Sequence, residues 1–160
     1  MDLALHPCRP EGDDVPVPLK YNNATSEFMR FLDDARDAAG LVSANQAFTM
    51  TEGVLRAFRD RLDVRDAILF ADVLPAVLRA VFVADWDVDR PRKEFGDRAS
   101  AVADVRALRA DHNFSPDTCL EAVAGALRRH VDPIAFDRTL ARLPEGAARF
   151  WDPAPPDGDP

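Results

Sequence analysis

The chain has 160 residues, of which 47% are hydrophobic and 30% charged, and its formal net charge at pH 7 is −8. This length and composition fit one folded domain with its own core. No run of about 18 apolar residues could cross a bilayer, and no basic stripe could neutralise phosphates, so neither membrane insertion nor nucleic-acid binding is expected.

The cysteines and the first residues point to a reducing compartment. Cys8 lies in a proline-rich stretch and Cys119 in a helical pattern, which is no disulfide framework. The opening residues lack the basic start and apolar stretch of a signal peptide. We therefore expect a cytoplasmic location. No glycine-rich phosphate-binding loop is present, and no cofactor is expected.

Both ends of the chain differ in composition from the middle. Residues 1–22 and 152–160 are rich in proline, glycine and acids and show no periodicity, so they are predicted to be disordered tails. Between them, over residues 23–151, helical spacing recurs and no long polar–apolar alternation exists. The sequence predicts an all-α fold of one domain.

Four helices are predicted in the first half, over about residues 23–88. Each has a start signal, in chain order Thr25, Ser43, Asp63 and Pro75. Gly40 supplies a left-handed stop for the first helix, and Gln46 stands at the capping-box spacing from Ser43. The fourth helix has the clearest apolar face, centred on Leu78.

Four more helices are predicted over about residues 96–151, after a polar connector that starts at Asp85. The fifth carries Val102 and Val105, and the next three start at Ser115-Pro116, Asp132-Pro133 and Pro144. The sequence therefore predicts a single-domain bundle of about eight helices.

The two halves resemble each other. Residues 49–75 recur 69 residues later as 118–144, with Thr, Glu, Val, Ala, Arg, Asp, Leu and Pro at eight matching positions. Such self-similarity is typical of one structural unit used twice. The bundle is thus expected to consist of two similar four-helix halves that bury each other's faces.

The run from Gln46 to Trp86 resembles the first half of the bacterial domain-of-unknown-function family 2267. The shared features are Arg59-Asp60-Arg61-Leu62, Leu74-Pro75, Leu78-Arg79, Phe82 and Trp86, with a second set at Arg128 to Val131, Leu143-Pro144 and Phe150-Trp151. The resemblance covers about residues 23–151 and implies a small helical bundle of two similar halves without an established activity. The chain departs from the family pattern at Ala147-Ala148 and at Gly146, which suggests a weaker last helix.

No catalytic or metal site is predicted. Asp85, Asp87 and Asp89 have the spacing that opens a calcium loop, but Arg90 and Gly96 stand where that loop needs glycine and glutamate. Cys119 and His130 would lie about 16 Å apart on one helix, which is too far for both to bind one ion. His112 and Cys119 could approach each other across a turn, but two ligands do not make a metal site. Ser115 and Ser43 are expected to cap helices, and no histidine stands at a readable spacing from either.

Four residues are candidates for binding: Arg79, Phe82, Trp86 and Trp151. Arginine suits planar carboxylate or phosphate groups, and aromatic side chains suit protein contacts. Two structural alternatives stay open. Arg79 and Arg59 could pair with nearby acids such as Asp63, Asp66 or Asp72, and Trp86 could plug the groove between the halves.

These observations favour a protein-interaction or regulatory module that is not an enzyme, with an unknown protein partner and possible homo-oligomers. The alternative is a small-molecule-binding or enzymatic protein with a pocket between the two repeats. An exposed apolar patch would favour the first hypothesis, and an apolar cavity with converging polar groups would favour the second.

Overall fold

The computed structural model describes residues 16–153, and in that part every regular element is a helix, which confirms the predicted all-α class. The α-helices are α1 (Leu19–Asn22), α2 (Ala24–Ala39), α3 (Ala44–Arg59), α4 (Val64–Asp72), α5 (Ala76–Val83), α6 (Arg98–Ala107), α7 (Cys119–His130), α8 (Pro133–Leu140) and α9 (Ala147–Phe150). A 3₁₀ helix, Ala110–His112, lies between α6 and α7.

The additional helix is α1, which lies inside the predicted N-terminal tail. Pro18 precedes this single turn, and its carbonyl accepts a hydrogen bond from the Tyr21 N–H. Residues 19–22 of the predicted tail form this exposed turn. Asn23, rather than Thr25, is the residue before α2. The remaining tail predictions, for residues 1–15 and 154–160, and Cys8 lie outside the described residues.

Most predicted caps are confirmed. The Ser43 hydroxyl accepts from the Gln46 N–H, and Gln46 Oε1 accepts from the N–H of Val42. Asp63 caps α4 by accepting from the Asp66 N–H, and Asp132 caps α8 through Oδ1. These caps use side-chain oxygens to satisfy N–H groups that a first helical turn leaves without partners.

Two helices start later than predicted. α7 begins at Cys119 because Ser115 belongs to a turn, in which its N–H and hydroxyl donate to Asn113 Oδ1. α9 begins at Ala147, so Gly146 precedes the helix instead of weakening it. Gly146 has φ 99°, and a Cβ there would lie 2.6 Å from Cβ of Phe95, so both backbone and space require glycine.

The helices pack around one core that mixes both predicted halves. α2 lies along α7, and α3 packs on α6, so each of these two contacts joins a segment before residue 88 to one after residue 96. α2 also packs on α3 and touches α5, while α4 contacts α8. This arrangement is a single helical bundle.

Aromatic rings form the centre of the core. Trp151 is fully buried and stacks on Phe70 with ring centroids 5.4 Å apart, and Phe58 meets the same indole at 5.2 Å. Phe82 packs on the other side of this group, 5.2 Å from Phe70. Trp151 is contributed by the last described turn, so the C-terminal end of the bundle completes the core.

The connector between α5 and α6 is fastened to the body at Lys93. Its N–H donates to the Asp60 carbonyl at 2.8 Å, and Nζ lies 2.6 Å from Asp104 Oδ1. The buried Arg61 donates to the other Asp104 oxygen. Burial opposes ionisation of this carboxyl, but Lys93 and Arg61 hold the pKa of Asp104 below its usual value. The connector is thereby fixed near its middle.

Candidate functional site

Trp86 lies at the start of the connector, directly above Arg59. The Arg59 guanidinium is 5.4 Å from the centre of the half-buried indole, a cation–π contact. Its Nη1 donates to the carbonyls of Phe82 and Ala84 at 2.8 and 2.9 Å. Arg59 therefore caps the C-terminal end of α5, and the predicted pairing of Arg59 with an acid at 63, 66 or 72 is wrong.

Arg59 is only 4% exposed, and burial lowers the pKa of its guanidinium, although neighbouring Asp60 opposes that shift. An arginine remains protonated at neutral pH even so. A fixed positive charge thus lies beneath the ring of Trp86.

A surface groove of about 340 Å³ opens beside these two residues. We call it the Trp86 groove. It is lined by Arg59, Asp60, Leu62, Asp63, Val64, Trp86, Asp87, Val88, Arg90, Pro91 and Arg92. Val64 and Val88 are 43% and 55% exposed, so its apolar wall faces solvent.

Three arginines and three aspartates line this groove, and two of the arginines, Arg90 and Arg92, have few partners. Arg90 makes no side-chain hydrogen bond or ion pair within the described residues, and the nearest carboxylate oxygen to Arg92 is Asp63 Oδ2 at 4.0 Å. Asp63 already caps α4, and Asp87 accepts from the Asp89 N–H. The arginines at the rim therefore keep donors that the described part of the chain does not use.

Arg79 occupies a different place. Its Nε donates to the carbonyl of Ala71 at 2.9 Å, and Nη2 reaches the carbonyls of Asp72 and Leu74 at 3.2 and 3.4 Å. The predicted pairing of Arg79 with a carboxylate is wrong, since its partners are backbone carbonyls at the end of α4. Arg79 does not line the Trp86 groove.

Phe82 and Trp151 are fully buried. Both rings lie against Phe70, although Phe82 belongs to the first predicted half of the chain and Trp151 to the second. Neither side chain has a surface to offer a partner, so of the four predicted binding residues Trp86 alone lines a groove described above.

The structure also locates the residues that were considered for catalysis or metal binding. Cys119 is fully buried, and burial raises the pKa of its thiol to about 11, so the thiol is protonated at neutral pH. Ser115 is buried in its turn with Asn113. Asp85 pairs with Arg56 at 3.3 Å. Within residues 16–153 no three His, Cys, Asp or Glu side chains lie close enough together to hold a metal ion.

A second and larger groove, of about 450 Å³, was not predicted from the sequence. We call it the α2/α5/α7 groove, because its walls are the first half of α2, the start of α5 and the end of α7. It is lined by Ala24, Glu27, Phe28, Arg30, Phe31, Pro75, Val77, Leu78, Arg129, His130 and Val131. The one sequence pattern that points to this groove is the helical spacing of Ala24, Phe28 and Phe31, which places them on the same face of α2.

A histidine–carboxylate pair joins the two long walls of this groove. His130 Nε2 lies 2.7 Å from Asp34 Oδ2, and the imidazole meets the Phe31 ring edge-on at 5.8 Å. Arg129 Nη1 approaches the other Asp34 oxygen at 3.4 Å. The pair fixes the end of α7 against α2.

No helix in the described part of the chain is long and apolar enough to cross a membrane.

The comparison with protein families agrees with the resemblance noted in the sequence. No curated protein sequence matches the chain significantly. The family model for "Uncharacterized conserved protein (DUF2267)" matches residues 28–150. Because this match covers most of the chain, the protein belongs to the DUF2267 family of uncharacterized conserved proteins.

Proposed function

We propose that the protein is a non-catalytic interaction module whose Trp86 groove docks an acidic segment of another protein that also carries a large apolar side chain. The observation that supports this is the combination in one groove of an exposed apolar wall, a half-buried tryptophan and an arginine, Arg90, whose side chain has no partner within residues 16–153. Tryptophan and arginine are the side chains that most often dominate protein-binding energy.

The charges support an acidic occupant. Arg90 has no partner among the described residues, and Arg92 has only a distant one at 4.0 Å. A carboxylate from a partner could accept from either guanidinium in a bidentate manner. Of the three aspartates that line the groove, Asp63 and Asp87 accept backbone N–H groups and Asp60 interacts with the charge of Arg59, so they compete less for these donors.

The apolar side chain would pack against Trp86, Val64 and Val88. Val64 begins α4, and Val88 belongs to the connector that Lys93 fastens to Asp60. A wall made of a helix start and a fastened loop needs little rearrangement on binding, which lowers the entropic cost of association.

The internal repeat is part of the proposal. At the 69-residue offset Phe82 corresponds to Trp151, and both are fully buried against Phe70. Asp63 and Asp132 likewise both cap a helix. We propose that one unit was used twice and that the first copy acquired the groove.

The test is fluorescence anisotropy with labelled synthetic peptides. One peptide carries two leucines flanked by glutamates, a second replaces the glutamates with lysines, and a third replaces the leucines with alanines. The acidic leucine peptide should bind most tightly. Trp86→Ala should weaken it at least about tenfold, the effect of removing an anchor residue.

Val88→Asp provides the sharper variant, because it places a like charge in the groove at an exposed position. We expect a loss of at least about fivefold, corresponding to about 1 kcal/mol. Val42→Asp is the matched control: it makes the same change at a position that is 86% exposed and outside the groove, and should change affinity less than twofold. Circular dichroism melts verify that all variants fold.

Three results would overturn the proposal. The acidic leucine peptide could fail to bind, the lysine peptide could bind as well, or Val42→Asp could weaken binding as much as Val88→Asp does. Self-association that Val88→Asp abolishes, measured by analytical ultracentrifugation, would instead make a second copy of the chain the occupant.

A further inference from the structure

The α2/α5/α7 groove combines an apolar floor with a cationic rim. Phe28, Val77 and Val131 are partly exposed and supply its apolar surface, and the almost fully buried Phe31 and Leu78 lie at its base. Its volume of about 450 Å³ is in the range of small-molecule sites, which span about 300–1,000 Å³. The groove is therefore large enough for a small organic molecule.

Two arginines stand at its rim on opposite walls. Arg30 on α2 is exposed and makes no side-chain hydrogen bond or ion pair within the described residues. Arg129 on α7 has only its 3.4 Å contact with Asp34, and its side chain is 60% exposed. Such an exposed ion pair contributes little, so Arg129 can turn to another anion at small cost. Among the described lining residues Glu27 is the only carboxylate.

The surrounding backbone adds to the positive potential. α2 and α5 both begin at this groove, at Ala24 and next to Pro75, and neither first turn receives a side-chain cap. Uncapped N–H groups and the helix dipole favour an anion near a helix start. This backbone contribution reinforces the two arginines, which carry the argument together with the apolar floor.

We infer that the α2/α5/α7 groove binds an amphipathic organic carboxylate, with its apolar tail on Phe28, Val77 and Val131 and its head at Arg30 and Arg129. The His130–Asp34 pair holds α7, which carries Arg129, against α2, which carries Arg30. This site lies apart from the Trp86 groove and shares no lining residue with it. The inference is therefore independent of the proposed interaction function.

The probes are octanoate, 1-octanol and acetate, titrated into the full chain labelled with ¹⁵N and followed by NMR. Octanoate should bind saturably and shift the amide signals of Ala24, Val77 and Val131. 1-Octanol lacks the charge and should bind at least about tenfold more weakly, because a neutral hydroxyl forms weaker hydrogen bonds with a guanidinium than a carboxylate does. Acetate lacks the tail and should not saturate.

Arg30→Gln combined with Arg129→Gln should weaken octanoate about tenfold and leave 1-octanol unchanged. Arg138→Gln controls for the loss of one positive charge outside the groove, because Arg138 is exposed on α8, does not line the groove and has no side-chain partner among the described residues. It should change octanoate affinity less than twofold. Val77→Trp should block both octanoate and 1-octanol by filling the groove.

The inference is overturned if octanoate does not bind, if its shifts map to another surface, or if the alcohol binds as tightly. It is also overturned if Arg138→Gln weakens octanoate as much as the double variant, since that would reflect net charge alone. The arginine variants alter exposed side chains, so they decide the question even if Val77→Trp fails to fold.

Discussion

Two glycines in the middle of helices should respond to alanine with opposite signs. Gly53 lies in α3 where that helix crosses α6, and an added Cβ would lie 2.9 Å from both Cγ1 and the carbonyl oxygen of Val105. Gly125 lies in α7, and its nearest neighbour to an added Cβ is Cβ of Pro153 at 4.0 Å. Gly53 allows a close helix crossing, whereas Gly125 leaves room for a methyl group.

The magnitudes follow from two competing effects. Alanine stabilises a helix interior by about 1 kcal/mol relative to glycine. Overpacking a core costs about 1–3 kcal/mol, and the cost at Gly53 lies in the upper part of that range because one colliding atom belongs to the backbone. Gly53→Ala should therefore lower the free energy of unfolding by about 1–2 kcal/mol, and Gly125→Ala should raise it by about 0.5–1 kcal/mol.

Urea denaturation followed by circular dichroism measures both free energies of unfolding, and thermal melts give a second estimate. A change of 1 kcal/mol corresponds to about 3 °C in Tm for a chain of this size. The two variants should therefore differ in Tm by about 6 °C. If Gly53→Ala stabilises the protein as much as Gly125→Ala does, α3 and α6 do not cross as closely as described, and the reasoning is refuted.

Three other outcomes are expected. Leu78→Ala should lower the free energy of unfolding by about 2–5 kcal/mol, because Leu78 is 1% exposed; a urea titration giving less than about 0.5 kcal/mol would place this face in solvent. In a Cys8→Ser variant, Cys119 should react with Ellman's reagent at pH 8 only as fast as the chain unfolds, and fast labelling would show that the thiol is accessible. Burial raises the pKa of Cys119 from 9.0 to about 11, so between these pH values the thiol ionises in the unfolded chain before it ionises in the folded one. The free energy of unfolding should therefore fall as the pH rises through this range, and a Cys119→Ala variant should lack this decrease.

Helix starts were predictable where the N-cap and the first turn are local. Ser43, Asp63 and Asp132 each bind an N–H two or three residues ahead, and Gly40 ends α2 with φ 66°. Such interactions depend on a few consecutive residues, so a sequence pattern contains all the information needed.

Helix starts were mispredicted where a distant or competing partner decides the backbone. Ser115 resembles a cap, but it hydrogen-bonds Asn113, and that amide in turn donates to the carbonyls of Val105 and Leu108 at the end of α6. Gly146 resembles a weak point in a helix, but Phe95 occupies the space where a side chain would be. Neither partner is visible in the local pattern.

The binding residues show the same division. Arginine near acids suggested ion pairs, yet Arg59 and Arg79 cap the carbonyl ends of α5 and α4. In a helical bundle, helix ends present unpaired carbonyls, and a long guanidinium can reach one from a neighbouring helix. Phe82 and Trp151 were predicted as binding residues, but both are buried, and that burial depends on packing between distant parts of the described chain.

The sequence by itself determined that the described chain is helical, where most helices begin and which face of each is apolar, because these properties arise from spacing within about four residues. Only the tertiary structure decided which arginines keep unused donors and where grooves form. The Trp86 groove joins α4 to the connector, and the α2/α5/α7 groove joins residues 24 and 131. Contacts over such separations depend on how three or more helices pack together, which no local pattern encodes.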